Sequence, residues 1–315
     1  MTIGEHDSTF EGRPIEEFSS DAGIQNVEVA IRLAVEYDAW EDGTKVPDLI
    51  AQLCEDPKAP QVKALVIGPC GYDGDDPADP IYAKLAEPET AATLSGLKAL
   101  FVGDITYEEQ EISWIVQGDV GPVLAAYPQL EVLRVRGGNG LALNGLESSS
   151  LRKLVVETGG LRRELIEQVC NSKLPNLEHL ELWLGSENYE ADHTVDDLMP
   201  LLSGRLFPKL RYLGLRDCEW VDALVPLVID SPLLAKLHVL DLSLGVLTDA
   251  GAAALLMSRA LEPLKKLKKL DLHHHYVSPW LIDRLKAAGY KLDASGFQIP
   301  EVYEGEIYRN VAVSE

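Results

Sequence analysis

Three consecutive histidines, His273, His274 and His275, are the residues of this sequence best suited to chemistry. Asp271 lies two residues before the first of them, and Asp241 occupies the matching position in a similar stretch upstream. Imidazole and carboxylate groups together can bind a metal ion or transfer protons. Adjacent side chains on a strand leave opposite faces, so the three rings cannot share one metal without a turn. We expect His273 to lie beside Asp241 and Asp271, and His275 to form a buried hydrogen bond at a turn.

The other motifs for catalysis or ligand binding are weak. Residues 137–140 are rich in glycine but lack the G-x-G-x-x-G spacing and the lysine of a phosphate-binding loop. No H-E-x-x-H motif and no recognisable setting for a nucleophile occurs. The sequence therefore predicts no catalytic residue, no metal ligand and no cofactor. The alternative is a metal-dependent or acid–base enzyme that uses His273, Asp241 and Asp271.

The four cysteines, Cys54, Cys70, Cys170 and Cys218, are widely spaced and form no C-x-x-C pair. This spacing favours isolated thiols over a disulfide framework or a zinc site. The first residues lack a basic region followed by an apolar stretch, so we expect no secretory signal. No apolar run reaches the length of a membrane span. Together these features predict a cytoplasmic protein in a reducing compartment.

Acidic residues greatly outnumber basic ones. The chain has 51 Asp and Glu against 28 Lys and Arg, which gives a formal charge of −23. A surface of this sign repels phosphate backbones and anionic lipids. We therefore expect neither nucleic acid nor a membrane as a partner. A protein partner, especially a basic one, is compatible with this charge.

The candidate residues belong to a repeated pattern. Residues 237–242 and 267–272 both read L-x-x-L-x-L, and related segments recur at a mean spacing of about 29 residues. The matches are 62–67, 97–102, 130–135, 151–156, 177–182, 210–215, 237–242 and 267–272. Segments between them, such as 161–170, have apolar residues at helical spacing. A strand, a turn and an outer helix at this period predict a leucine-rich repeat solenoid.

Alternation along each predicted strand divides its side chains between two faces. The leucine positions point into the solenoid, and the residues between and after them point to the concave side. We predict an α/β leucine-rich repeat horseshoe of about eight irregular repeats, with a parallel concave sheet and convex helices. Alternation at 27–37 predicts a half-buried strand in an N-terminal β cap. The predicted division is a cap at 1–58, the solenoid at 59–296 and a tail at 297–315 that either caps the solenoid or is disordered.

The concave positions, which we expect to face water, change along the chain. In the first two repeats they include the small or apolar residues Ala64, Val66, Ala99 and Phe101. Such a patch either contacts a partner or is covered by the N-terminal segment or the tail. A structural subunit that associates with itself through this patch is a further alternative.

The later repeats combine charged and aromatic side chains on the same face. This composition is typical of protein-binding hot spots, although a solvated face with cross-strand ion pairs would also show it. We therefore expect a non-enzymatic scaffold that binds a protein partner on its concave face. The predicted binding residues are Arg134, Arg136, His179, Glu181, Trp183, Tyr212, Arg216, Asp241, Asp271 and His273.

Two resemblances rest on particular stretches. Residues 240–255, LDLSLGVLTDAGAAAL, resemble a leucine-rich repeat of the ribonuclease-inhibitor type, which implies a horseshoe used for protein binding. Residues 62–292 resemble a family of uncharacterised bacterial leucine-rich repeat proteins. The stretches that carry this second likeness are FVGD at 101–104, EISW at 111–114, RGGNG at 136–140 and LDLHHHY at 270–276. That family implies a bacterial cytoplasmic protein and no established activity, so it implies no catalytic residue.

Overall fold

The computed structural model describes residues 3–71, 76–257 and 261–313 and divides the chain into two compact units. The N-terminal unit contains residues 3–157 and 171–174, and the C-terminal unit contains residues 158–170 and 175–313. The boundary falls inside the segment 59–296 that the sequence predicts as one solenoid. The three-part division with limits at 58 and 296 stays a prediction.

In the described part of the N-terminal unit, seven strands lie side by side in chain order. The first pair, β1–β2, is antiparallel, and the pairs from β2 to β7 are parallel. The strands are β1 (Thr9–Phe10), β2 (Arg13–Glu17), β3 (Ala30–Leu33), β4 (Ala64–Ile67), β5 (Ala99–Val102), β6 (Val132–Arg136) and β7 (Lys153–Glu157). The helices are α1 (Tyr37–Glu41), α2 (Val46–Glu55), α3 (Asp79–Ala86), α4 (Pro88–Thr93) and α5 (Gly121–Ala126), with 3-10 turns at Ala59–Gln61 and Ile112–Trp114.

The described residues of the C-terminal unit form five further parallel strands, again in chain order. They are β8 (His179–Gly185), β9 (Tyr212–Cys218), β10 (Val239–Asp241), β11 (Lys269–Asp271) and β12 (Leu292–Asp293). The helices are α6 (Arg163–Asn171), α7 (Met199–Leu202), α8 (Val221–Asp230), α9 (Asp249–Met257), α10 (Leu261–Lys266) and α11 (Pro279–Ala287), with 3-10 turns at Glu187–Tyr189, Val195–Leu198 and Leu234–Lys236. A separate antiparallel hairpin follows, made of β13 (Glu301–Tyr303) and β14 (Glu306–Tyr308).

The strand registers agree with the alignment of the repeats. Ala99 pairs with Ala64 on one side and with Val132 on the other. Tyr212 pairs in the same way with its counterparts His179 and Val239. Parallel strands in chain order, connected largely through helices, confirm the prediction of a mixed α/β repeat architecture with a mainly parallel sheet.

The helices form where apolar residues recur at helical spacing and where side chains at the first turn can bind free backbone N–H groups. Helix α6 buries Leu165, Ile166 and Val169, which share the apolar face predicted for residues 161–170. Asp48, in the first turn of α2, accepts a hydrogen bond from the backbone N–H of Lys45 (2.9 Å). Within the ranges that the structure describes, no helix combines the length and the apolarity needed to cross a bilayer.

The strand predicted at 27–37 is shorter and more buried than expected. It is β3, and all four of its residues are buried. Strand β3 pairs with β2 on one side and with β4 on the other. Phe10 packs in the same apolar cluster as Ala30 of this strand. The expectation of a half-buried strand is wrong because the preceding chain folds back over one face, which alternation alone does not reveal.

The tail forms the exposed hairpin and then returns to the C-terminal unit. Val311, Ala312 and Val313 are buried. The backbone N–H of Ala312 donates to the carbonyl of Leu244 (2.7 Å), and that of Val313 donates to the carboxylate of Asp217 (3.0 Å). Of the two expectations for the tail, packing against the rest of the chain is the one observed for residues 311–313.

Strand β8 ends at Gly185, a position where any larger residue would distort the backbone. Gly185 has a left-handed backbone (φ 69°), and a Cβ atom there would lie 1.9 Å from the carbonyl oxygen of Gly159. Real Cβ atoms do not approach a backbone atom so closely. The close approach of these two chain segments therefore depends on the missing side chain.

We expect Gly185→Ala to lower the free energy of unfolding by about 3 kcal/mol, because left-handed strain adds to a backbone clash. Gly289→Ala is the matched control in the same unit. Gly289 is also left-handed (φ 95°), but its added Cβ would meet only the Lys265 side chain at 4.0 Å. This control should lose about 1 kcal/mol. Chemical denaturation measures both, and equal losses would contradict the close contact at Gly185.

Candidate functional site

The structure divides the ten predicted binding residues between the two units. Arg134 and Arg136 belong to the N-terminal unit, and the other eight belong to the C-terminal unit. The half-buried members are Arg134, His179, Tyr212, Arg216 and His273. The buried members are Arg136, Glu181, Trp183, Asp241 and Asp271. The expectation that the whole set faces water is wrong for the buried five. Other side chains of the sheet contact them, such as Tyr212 beside Asp241 and Arg216 over the ring of Trp183.

In the N-terminal unit, the N-terminal arm (residues 3–11) covers the apolar positions of the first repeats. Phe10 is 4% exposed, and its ring centroid lies 5.9 Å from that of Phe101. Burial of one such side chain contributes about 2 kcal/mol. The chain's own N-terminus therefore occupies the apolar surface that a self-associating subunit would use. The residues of this cluster are Phe10, Ala30, Ala64, Val66, Ala99, Phe101 and Val132.

Ionic contacts hold the arm in place beside its aromatic anchor. Asp7 forms an ion pair with Arg134, and Glu11 Oε1 lies 2.8 Å from Lys153 Nζ. The side chains of Asp7 and Glu11 are 36% and 31% exposed. Pairs in contact with water contribute only about 0–1 kcal/mol each. The arm is therefore held mainly by Phe10.

Arg134 and Arg136 share one carboxylate, that of Glu157 on the next strand. Arg134 Nε donates to Glu157 Oε1 (2.7 Å), and Arg136 Nε donates to Glu157 Oε2 (2.8 Å). The two guanidinium carbons lie 4.1 and 5.2 Å from the ring centroid of Phe101, within range of cation–π attraction. Arg136 is thus a buried partner of Glu157. Arg134 is half-buried, and it also contacts the arm through Asp7.

In the C-terminal unit, Glu181 is the centre of a hydrogen-bond network on β8, β9 and β10, here called the Glu181 network. Glu181 Oε1 accepts hydrogen bonds from Trp183 Nε1 (2.8 Å) and Arg216 Nη1 (2.6 Å). Glu181 Oε2 lies 3.0 Å from Tyr212 Oη and 3.5 Å from His179 Nε2. The last distance is at the outer limit of a hydrogen bond. With Asp241 on β10, which contacts Tyr212, six of the predicted binding residues are therefore joined in one network.

The ring of Tyr212 lies over a glycine. A Cβ atom at Gly214 would lie 3.1 Å from Tyr212 Cε1 and 3.1 Å from Glu181 Cγ. Tyr212 Oη also reaches Asp241 Oδ2 (2.7 Å), and the His179 ring stacks on the tyrosine with centroids 3.7 Å apart. Because Gly214 has no side chain, the tyrosine can lie across the sheet and shield two carboxylates from water.

Burial and charge determine the protonation of this network. Burial raises the pKa of Tyr212, and the charges of Glu181 and Asp241 raise it further, so the phenol keeps its proton. Burial alone would raise the pKa of Glu181, but the contacts with His179 and Arg216 outweigh it and hold the pKa well below its usual range. One phenol proton serves one carboxylate at a time. Arg216 compensates by its charge: its Nε donates to Ser243 Oγ (2.9 Å) and lies 3.5 Å from Asp241 Oδ2.

A second group lies on β11 and β12. His273 Nδ1 lies 2.8 Å from Asp271 Oδ1. Lys269 Nζ lies 2.5 Å from Asp271 Oδ2 and 3.1 Å from Asp293 Oδ2. Burial alone would raise the pKa of Asp271, but hydrogen bonds from His273 and Lys269 outweigh it and lower the pKa to about 2. Asp271 therefore stays ionised and orients the imidazole.

The predicted cluster of His273, Asp241 and Asp271 is divided between the two groups. Asp241 belongs to the Glu181 network, whereas Asp271 pairs with His273. His275 is buried, and its Nδ1 accepts a hydrogen bond from the backbone N–H of Val277 (3.0 Å), as expected for a turn histidine. Among the residues that the structure describes, no group of three or more His, Cys, Asp and Glu is arranged to hold a metal ion.

Sequence reasoning missed the residues that close the face of the N-terminal unit. Phe10 stands in a short stretch that suggests an edge strand or a hairpin arm, and nothing local indicates what it covers. Asp7 and Glu11 lie 127 and 142 residues from their partners Arg134 and Lys153. Pairs so distant leave no trace in local patterns. The available signal was the apolar patch itself, which gave two alternatives: contact with a partner, or cover by the N-terminal segment or the tail. The structure shows cover by the N-terminal segment.

No protein-family model matches the chain, and no curated protein matches it. A solved structure does match: that of an uncharacterised protein from Bacteroides fragilis, determined by the Northeast Structural Genomics Consortium. The two sequences are 36% identical, the match covers 86% of this chain and 76% of that chain, and the TM-score is 0.80. The chain belongs to the same family as this Bacteroides protein. Membership of this family establishes a shared fold and assigns no activity.

The contacts of Asp271 with His273 and Lys269 make the free energy of unfolding depend on pH. The pKa of Asp271 in the folded protein, about 2, lies below its ordinary value of 3.8, so ionisation favours the folded state. This contribution of about 2 kcal/mol is complete above about pH 4 and is lost as the pH falls through about 2. We expect Asp271→Asn to unfold at lower denaturant concentration at pH 7, and its deficit to shrink near pH 2. The exposed Asp283→Asn is the control, and a deficit independent of pH would contradict the mechanism.

Proposed function

We propose that this protein is a non-enzymatic leucine-rich repeat scaffold that binds a protein partner. In this proposal the strands form the concave sheet of a horseshoe of the ribonuclease-inhibitor type, with about eight irregular repeats and an N-terminal β cap. The parallel registers and the helices between strands support it. Buried leucines at the inward positions, such as Leu213, Leu240 and Leu270, support it as well.

The proposal rests on one observation: the stacked pair of His179 and Tyr212, beside Arg216, is half-buried and held from beneath. Tyrosine and arginine are frequent among the residues that dominate binding energy. Glu181 and Asp241 hold these side chains in place, so that binding costs little further rotamer entropy. The network therefore offers a prepared contact surface, with its buried members as supports.

The expected partner is a basic protein. A chain of charge −23 attracts positive surfaces and repels nucleic acid and anionic membranes. The cysteines that the structure describes, Cys54, Cys70, Cys170 and Cys218, are all free thiols. This observation supports our proposal that the protein works in a reducing bacterial cytoplasm.

An acid–base function has one supporting observation. A carboxylate that holds an imidazole, as Asp271 holds His273 at 2.8 Å, is the arrangement that orients a catalytic base. The third residue proposed for that site, Asp241, contacts Tyr212 instead. We therefore favour the scaffold.

The scaffold proposal is tested by capture from the native cell with three versions of the full chain. We expect one or more proteins, enriched with the wild type, to be depleted at least tenfold with Tyr212→Ala, because the aromatic contact is lost. Trp280→Ala is the matched control, since Trp280 is a 57% exposed aromatic residue on α11 of the same unit. It should retain the partner. Quantitative mass spectrometry of the captured proteins measures the difference.

A second variant shows whether any loss of binding by Tyr212→Ala results from misfolding. His179→Ala removes the stacked ring and leaves the hydroxyl of Tyr212 with its carboxylates. Thermal melting shows whether each variant is folded. Identical sets of captured proteins with the wild type and both folded variants would refute the proposal.

A further inference from the structure

The N-terminal arm covers only part of the sheet face beneath it, and the face extends beyond the arm into an empty cavity. Next to the arm is an open cavity of about 340 Å³. Ala99 and Val132 form its apolar floor, and Lys63 and Lys98 are among its walls. The arm reaches this cavity only at its end, through Glu11. The groove is therefore longer than the segment that fills it.

The arm's own contacts show what the groove recognises. One aromatic ring, that of Phe10, enters the apolar cluster, and two carboxylates meet Arg134 and Lys153. The backbone of the arm adds one hydrogen bond to the rest of the unit, from Tyr107 N to the carbonyl of Ile3 (3.0 Å). The backbone hydrogen bonds of Ser8, Thr9 and Phe10 lie within the β1–β2 hairpin. His6 adds contacts with two carboxylates: its Nδ1 lies 3.3 Å from Asp104 Oδ2, and its Nε2 lies 3.4 Å from Glu109 Oε1. Recognition thus depends on the side-chain pattern of histidine, acid, aromatic, acid.

The part of the groove around Phe10 and the cavity carries a charge opposite to that of the whole chain. Its rim there carries Lys63, Lys98, Arg134 and Lys153 in a protein of charge −23. Two carboxylates offset part of this charge, because Glu131 pairs with Lys98 (3.0 Å) and Glu157 pairs with Arg134 (2.7 Å). This local positive charge attracts an acidic segment. A second copy of the chain is a poor occupant, because two molecules of charge −23 repel each other as they approach. The charge therefore favours a segment of a different protein.

We infer that this groove binds an acidic segment of a partner protein with one aromatic anchor, and that the N-terminal arm is an internal occupant which the segment displaces. The incoming aromatic ring takes the place of Phe10. Its carboxylates pair with Arg134 and Lys153, and a further acidic residue reaches Lys63 in the empty cavity, beside the ion pair of Lys98 and Glu131. The arm thus restricts the groove to segments that make more contacts than it does. This site is independent of the Glu181 network, and neither proposal requires the other.

The test uses a fluorescent peptide with the sequence of residues 3–11 followed by Gly-Glu-Glu. The receptors are the full-length wild type and the double variant Asp7→Ala/Glu11→Ala, and fluorescence anisotropy measures binding. The substituted side chains are partly exposed, so the double variant loosens the arm without changing the core. We expect the double variant to bind the peptide about threefold to tenfold more tightly than the wild type, because its tethered arm, which competes at high effective concentration, loses two weak ion pairs and keeps Phe10.

Two matched peptides test the recognition pattern. Replacement of the phenylalanine by alanine should weaken binding at least tenfold. Replacement of the two terminal glutamates by lysines should also weaken it at least tenfold, because they would then meet Lys63 and Lys98. Equal binding of all three peptides would overturn the inference, as would binding of none of them to the double variant.

Further variants separate the remaining outcomes. Phe10→Ala opens the groove by a second route, and its thermal melting curve reports whether this variant is folded. Tyr212→Ala, in the other unit, should leave peptide affinity unchanged, so failure here is distinct from failure of the proposed scaffold surface. Light scattering of the wild type and the double variant reports their mass. A dimer formed by exchange of arms would assign the groove to a second copy and overturn the inference.

Discussion

The registered pairing of parallel strands is the constraint on which the rest of each unit depends. Pairing in register places equivalent side chains about 4.8 Å apart along the sheet. A polar or apolar residue at one position therefore has neighbours at the same position on both adjacent strands. The side chains of each row must therefore pair with one another, or another part of the chain must cover them. Most of the contacts described above follow from this requirement.

The two units satisfy it differently. In the N-terminal unit the rows contain an apolar cluster, and the arm covers this cluster with Phe10. In the C-terminal unit the rows contain carboxylates, and the chain keeps them ionised and paired through Arg216 and Tyr212. A covering segment can be exchanged for another, whereas a network on the strands themselves remains in place. In our two proposals, the first unit therefore binds a partner by exchange of the covering segment, and the second binds a partner through a surface that stays in place.

Buried polar residues in this sheet support their neighbours. Glu157 and Glu181 each hold two or more cationic or aromatic side chains, and loss of such a carboxylate would leave buried donors without partners. The half-buried residues above them owe their position to these hidden partners. Binding residues in a repeat sheet are thus identified by exposure and by the groups that hold them, not by type alone.

The sequence by itself determined the period, the parallel registers and the identity of the inward and outward positions. Each of these depends on local alternation, which the repeated leucine pattern records. Even the role of His275 followed from its place at the turn. Only the tertiary structure decided which outward residues meet water. Phe10 covers strands far along the chain, and Gly214 lets Tyr212 close over two carboxylates. Contacts between distant residues are set by how the chain folds back on itself, and no local pattern encodes them.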